Sequence, residues 1–262
     1  TTQCGVANYG KWSNFSGGAG GGVPAEGVAL EYGQFCPIAK ASEVLGEKWT
    51  LLIVRELLQG TKRFNEFQRA LSLISPTVLA KRLRSLEERG LVFQKVISGG
   101  RSAEYHLTPA GRELYPVIEE LAVWGMRWAR KQMEDSELDI ELLMWDIRRR
   151  IDRDALPGRQ AVIRFSFPEL KRYRDWWVVV DERGADLCTK DPGKDVDLHV
   201  VSDPRTLIEV WMGDTTLNQA KSSGKLRLLG SALYSRSMKD WLMLSSVREM
   251  LAAPHIASRQ YD

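Results

Sequence analysis

At 262 residues, with 44% apolar and 27% charged composition, the chain is long enough for two hydrophobic cores and too long for a single small binding module. It has no run of 18 apolar residues and no charged leader ahead of an apolar stretch, so neither a membrane span nor a signal peptide is expected, and the protein reads as soluble and cytoplasmic, without membrane contact. Three cysteines (Cys4, Cys36 and Cys188) show no CxxC spacing and three histidines (His106, His199 and His255) are isolated from one another, which leaves no zinc site, other metal centre or disulfide framework to expect.

Residues 1–31 fit neither domain: Ser16 to Gly22 (SGGAGGG) has the composition of a flexible linker. The apolar stretch Glu47 to Leu58 (EKWTLLIVRELL) then reads as a helix broken at Gly60, and Arg63 to Ala70 (RFNEFQRA) as a second, shorter one. In Ile74 to Gly90 (ISPTVLAKRLRSLEERG), Ser75 suits an N-cap, Pro76 the first helical position and Gly90 the position past the end. At about 100° per residue, Leu79, Leu83 and Leu86 share one face and Thr77, Lys81 and Arg84 the opposite one. Leu91 to Ile97 and Ser102 to Leu107 are strand-like, and the SGGR turn at Ser98 to Arg101 joins them. Two helices, a recognition helix and a basic hairpin in this order describe a winged helix-turn-helix over residues 32–132.

Residues 36–110 hold 12 Lys and Arg against 7 acidic residues, a net of +5 in a chain whose total is +3. Positive charge therefore concentrates where double-stranded DNA would sit. By residue type and position, Thr77, Lys81 and Arg84 form the groove-facing stripe with Ser75 and Arg82 at its edge, and Lys62, Arg63, Lys95 and Arg101 are phosphate candidates in the turn and wing. Four blocks resemble the HxlR family of transcriptional regulators: CPIAKASEVLGEKWTLLIVRELL at Cys36 to Leu58, GTKRFNEFQ at Gly60 to Gln68, ISPTVLAKRLRSLEERGLV at Ile74 to Val92 and YHLTPAGREL at Tyr105 to Leu114. The resemblance implies a homodimer with one recognition helix per subunit in successive major grooves, roughly 34 to 36 Å apart. It also makes Cys36, just ahead of Pro37, a possible oxidation sensor, although a free cysteine there also reads as a small buried hydrophobe.

Thr108, Pro109 and Ala110 open a long amphipathic helix on which Leu114, Ile118, Leu121, Trp124 and Trp128 recur at three- and four-residue steps. This stripe packs either on its own domain or across a two-fold axis, as the resemblance implies. Residues 133–158 read as a helical connector in which Leu143, Ile147 and Ile151 run through Arg148 to Arg150. Beyond Arg159 the period changes to two: Ile163, Phe165 and Phe167 alternate with Val162, Arg164 and Ser166, and Val196, Leu198 and Val200 alternate with Asp197 and His199. Trp176 to Asp181 with Ala185 to Lys190 forms a hairpin, Lys225 to Leu229 a further strand, and Pro204 to Met212, Thr215 to Ser222 and Ala232 to Val247 are helical. The fold class is α+β: a mainly α winged helix followed, over residues 159–262, by a second domain with a mostly antiparallel sheet.

VDLHVVSDPRTLIEVWMGDTTLNQAKSSGKLRLLGS at Val196 to Ser231 is similar to the sterol-carrier-protein-like domains. The resemblance implies a cavity for a hydrophobic small molecule. Trp176, Trp177, Val179, Leu207, Trp211, Met212, Trp241 and Leu242 are the lining candidates, though aromatic residues at such spacings also suit a plain core. The expected function is a dimeric, sequence-specific DNA-binding transcriptional regulator responsive to such a molecule, with no cofactor. A non-enzymatic carrier of hydrophobic ligands is the alternative, and the second domain could also serve only as a dimerisation or stability module. No enzyme is expected, because the chain has no phosphate-binding loop, HExxH or nucleophile elbow.

Overall fold

The computed structural model describes residues 31–97, 103–129, 134 and 137–245. Among the described residues, those up to Val44 and those from Leu45 fall into separate units. The first contributes helix α1 (Pro37–Leu45), whose Lys40 pairs with Glu43 one turn on (2.8 Å).

The second unit begins with α2 (Thr50–Leu58), α3 (Phe64–Ala70) and α4 (Pro76–Glu88). Helix α2 starts three residues later than the sequence pattern predicts because Trp49 adopts a left-handed conformation (φ 80°) that no α-helix accommodates. The N-terminus of α3 is closed by Glu66, whose carboxylate accepts the Arg63 and Lys62 backbone N–H groups (2.9 and 3.1 Å). At α4 the expected caps are present. The Ser75 hydroxyl accepts the Val78 N–H (3.3 Å), and Gly90 (φ 71°) lets the Leu91 N–H turn back to the Leu86 carbonyl (2.9 Å). Leu79, Leu83 and Leu86 are buried against Ile53, Val54 and Phe67, so burial of the α4 apolar stripe is what fixes its polar face outward.

Strands β1 (Val92–Val96) and β2 (Ala103–Leu107) pair antiparallel as the wing, with Val92 opposite Leu107 at its buried base. The wing is anchored by Thr108, whose hydroxyl donates to the Gly90 carbonyl (2.7 Å), and by α5 (Pro109–Arg112). Within α5, a Cβ on Gly111 would stand 2.2 Å from the Leu91 carbonyl oxygen and 2.9 Å from a Leu107 methyl. Gly111→Ala is therefore expected to lower stability by about 1–3 kcal/mol, read as a shifted urea midpoint, because the obstruction is backbone and cannot rotate away.

The long helix expected from Thr108 to Trp128 is divided. Pro116 has no N–H for the Arg112 carbonyl, so α5 ends and α6 (Tyr115–Trp124) starts afresh, followed by a π-helical segment, Gly125–Ala129. Next comes α7 (Ile140–Arg150), the helix the sequence marks as a connector. Its Ile140, Leu143, Met144 and Ile147 belong to the same hydrophobic core as the C-terminal sheet.

That sheet has the order β5-β4-β3-β6-β7, built from β3 (Ala161–Ser166), β4 (Asp175–Asp181), β5 (Gly184–Cys188), β6 (Leu198–Ser202) and β7 (Leu226–Gly230). Only β3 and β6 run parallel, joined by a connection containing the β4–β5 hairpin, so the sheet is mostly antiparallel. Helices α8 (Pro204–Met212) and α9 (Leu217–Ser222) follow β6, each started by a side-chain cap, Asp203 and Thr216. After β7, the single helix expected over Ala232 to Val247 is, as far as Ser245, two short ones, α10 (Ala232–Arg236) and α11 (Met238–Trp241), divided at Ser237, which is not helical; residues 246 and 247 lie outside the described residues.

The winged helix and the sheet domain meet through polar contacts of α7. Asp139 caps α7 through the Leu142 N–H (2.9 Å) and its second oxygen accepts from Ser72, in the turn before the recognition helix (2.8 Å). Glu56 of α2 is fully buried and holds Arg149 of α7 (2.8 Å), Arg55 (2.7 Å) and the Thr61 hydroxyl (3.0 Å). Among the described residues, no helix is long and apolar enough to cross a membrane.

Candidate nucleic-acid interface

Thr77, Lys81 and Arg84 are exposed on α4 opposite its buried leucines, and Ser75 lies exposed at the helix start. Ser75 uses its hydroxyl oxygen as the N-cap acceptor, which orients the first turn and leaves its O–H free to donate outward. Arg82 differs from its neighbours. Its Nε donates to the Lys48 carbonyl (3.1 Å) and its guanidinium pairs with Glu47, so it ties α4 to the segment before α2 and holds the stripe in place instead of joining it.

A second basic group gathers at the wing. The Tyr105 N–H donates to the Lys62 carbonyl (2.8 Å), which places exposed Lys62 beside β2. Arg63 approaches Glu104 at 3.6 Å, and Lys95 opposes Glu104 across the hairpin. The Glu104 carboxylate, which also lies 3.2 Å from His106 Nε2, thus stands beside Arg63 and opposite Lys95. Arg101 lies outside the described residues.

The ligand-lining candidates are placed differently. Trp176, Trp177, Leu207, Trp211, Trp241 and Leu242 are buried, and Val179 and Met212 half-buried. The indole N–H groups of Trp176 and Trp241 donate to the Tyr173 and Tyr234 carbonyls (2.9 and 3.1 Å), and Arg164 stacks on Trp177 (5.4 Å). Trp176, Trp211 and Trp241 belong to the core of the sheet domain, where large flat side chains remove the most apolar area from water, whereas Trp177 lies on the other face of the sheet beside Arg164. Of the eight, only Leu242 lines a described cavity. That cavity is about 490 Å³, between α8, α9 and the α10–α11 pair. Cys36 is half-buried immediately before α1, and its carbonyl accepts the Lys40 N–H (3.0 Å).

Residues 44–133 match the family described as HxlR-like helix-turn-helix. The chain is 38% identical over 101 residues to the HTH-type transcriptional regulator YvaP of Bacillus subtilis, covering 38% of this chain and 94% of YvaP. It is 46% identical over 90 residues to the HTH-type transcriptional regulator Rv3095 of Mycobacterium tuberculosis, covering 34% of this chain and 56% of that protein. Among solved structures, the reduced form of the transcriptional regulator YodB from B. subtilis is similar at 30% identity, with 38% of this chain and 100% of that one covered and a TM-score of 0.34. With its capped recognition helix, wing and outward Lys81–Arg84 stripe, the chain belongs to the HxlR family of helix-turn-helix transcriptional regulators.

Proposed function

We propose that the protein is a homodimeric, sequence-specific DNA-binding regulator whose C-terminal domain takes a small hydrophobic effector. The observation that carries the DNA reading is the α4 stripe: Thr77, Lys81 and Arg84 point outward from a helix whose opposite face is locked into the core and whose two ends are capped. Such a helix enters a major groove without rearrangement, and Arg84 offers the planar donor pair that reads guanine. Lys62, Arg63 and Lys95 flank it as phosphate contacts.

The effector reading rests on the cavity among α8, α9, α10 and α11, whose apolar wall of Val210, Leu217, Met238, Leu242 and Leu244 is joined by Lys221, Arg236 and Lys239. An effector acts only if it binds the DNA-competent and incompetent states with different affinity. Asp139 and Glu56 supply the mechanical route, since both join the sheet domain to the helices that support α4.

Fluorescence anisotropy with the DNA upstream of the protein's own coding sequence tests the reading. The wild type should form a discrete complex whose log K falls steeply with log salt. Arg84→Ala should lose about 1–3 kcal/mol and relax sequence preference, whereas Lys62→Ala should weaken all sequences alike and reduce the salt slope by about 1. A complex insensitive to both substitutions would overturn the assignment of α4 and the wing.

A further inference from the structure

The face of the five-stranded sheet turned away from the core carries a polar cluster that the DNA and effector readings leave unused. Strand register sets it in two adjacent rows. In the first, Trp177, Arg164, His199 and Leu229 lie side by side across β4, β3, β6 and β7; in the second, Asp175, Ser166, Val201 and Arg227 do so. With Pro168 and Arg174, residues of these rows line a recess of about 290 Å³. Because alternate residues of paired strands share a face, the whole constellation stands on sheet backbone rather than on a loop.

Its hydrogen bonds are directional. The Ser166 hydroxyl donates its single proton to Asp175 and therefore accepts from His199 Nε2–H (2.7 Å). Arg164 commits Nε and Nη2 to the same Asp175 oxygen (3.2 and 3.0 Å). Serine thus lies between the acid and the imidazole, the reverse of the order in which a carboxylate orients histidine to take a serine proton, and the group is not built for nucleophilic attack. Arg164 and Arg174 act on this one carboxylate, and Arg227 lines the same recess beside His199. Asp175 is held below the usual carboxylate range: burial opposes this, and the Ser166 and Arg164 hydrogen bonds outweigh it. It is therefore ionised, and its Oδ1 accepts from Ser166 and from two Arg164 nitrogens. Among the described residues, the Arg174 and Arg227 side chains make no hydrogen bond or ion pair, which leaves the recess an uncompensated positive charge.

We propose that this recess binds a small oxyanion, the phosphate or carboxylate group of a small molecule, between Arg164, Arg174 and Arg227. The recess is of a size for one such group and a few further atoms, and three guanidinium-bearing residues line it, the side chain whose planar donor fork matches phosphate and carboxylate. His199 provides a local reporter. Its imidazole is held below the usual histidine range by burial first and then by Arg164 and Arg227, against the opposing pull of Asp175. An anion seated among the arginines cancels part of their repulsion and raises the histidine pKa.

The test is NMR of the histidine imidazoles in the full chain, titrated with inorganic phosphate and separately with acetate, at constant ionic strength set by chloride. The His199→Gln variant identifies the His199 signal. A saturable shift of His199 with either oxyanion, and an upward move of its titration midpoint, is the expected result; the stronger of the two probes tells whether the natural group is a phosphate or a carboxylate. Arg227→Gln and Arg174→Gln should each weaken that binding by about tenfold or more, because each removes a charge-assisted hydrogen bond. Arg236→Gln, in the separate cavity near α9, should leave it unchanged. No saturable shift of His199, or an equal shift in Arg227→Gln, would overturn the proposal, since binding to the DNA-facing cations would not distinguish those variants.

Discussion

Glu56→Ala is expected to destabilise the protein by about 3–5 kcal/mol, the cost of removing one partner from a buried ion pair. The carboxylate has no exposed surface, and its two oxygens receive Arg55, Arg149 and Thr61. Burial by itself would raise the Glu56 pKa, but the two guanidinium groups more than offset it and the net shift is downward. A carboxyl with a depressed folded-state pKa contributes stability that is present above its unfolded value and is lost as pH falls through the folded value. The Glu56 contribution should therefore hold through neutral pH and disappear only in acid. Without Glu56, Arg149 keeps Asp146, whose own carboxyl is held above its usual range by burial and the Glu56 charge, partly countered by Arg149 and Arg55. The measurement is urea denaturation of the single variants Glu56→Ala and Arg149→Met and of the double variant. The double should lie below the sum of the singles, since it removes both members of the Glu56–Arg149 pair; what remains of the loss reports Asp146, which the Arg149 change leaves without its ion-pair partner. Additive losses would show that Glu56 and Arg149 act separately, and a loss below about 1 kcal/mol would put the pair on the level of a surface ion pair.

This link was not legible in the sequence, and the reason is physical. Glu56 lies inside an apolar helical run and Arg149 93 residues later in a basic triplet, so each reads locally as an exception or as a solvated charge. Their partnership exists only once α7 packs beside α2 and α3. The recognition helix is the opposite case. Ser75, Pro76, Gly90 and the leucine period are local signals that all point to the same helix, and the structure retains each of them. Arg82 shows where local reading stops: one residue from the stripe, it turns toward Glu47 and Lys48, a choice made by tertiary contact alone. The period-two pattern likewise set Arg164 and Ser166 on the outer face of their strand. That His199 and Arg227 join them there depends on the order β3-β6-β7, which alternation within a strand does not encode.

The α6 face makes the second large prediction. Trp124 and Trp128 are 59% and 61% exposed, and Tyr115, Val117 and Leu121 are also open to solvent. Val117, Leu121, Trp124 and Trp128, with Pro116 and Val123, border a largely apolar groove of about 730 Å³ that Glu120 and Arg127 also line. An apolar stripe of this kind marks an interaction surface, and in the proposed dimer it packs against its counterpart. Leu121→Asp combined with Trp124→Asp should convert the protein to a monomer in sedimentation equilibrium while leaving its fold intact, because both side chains are exposed within one chain and the core beneath them is not altered. A dimer engages its second half-site intramolecularly, so losing it should reduce affinity for a two-half-site operator by about 10²–10⁴-fold. Affinity for a single half-site should be unchanged, since α4 and the wing are untouched. That pairing of outcomes separates loss of assembly from damage to the DNA-reading surface: an equal fall on both DNAs would mean the substitutions had disturbed the winged helix, and an intact dimer would place the two-fold axis elsewhere.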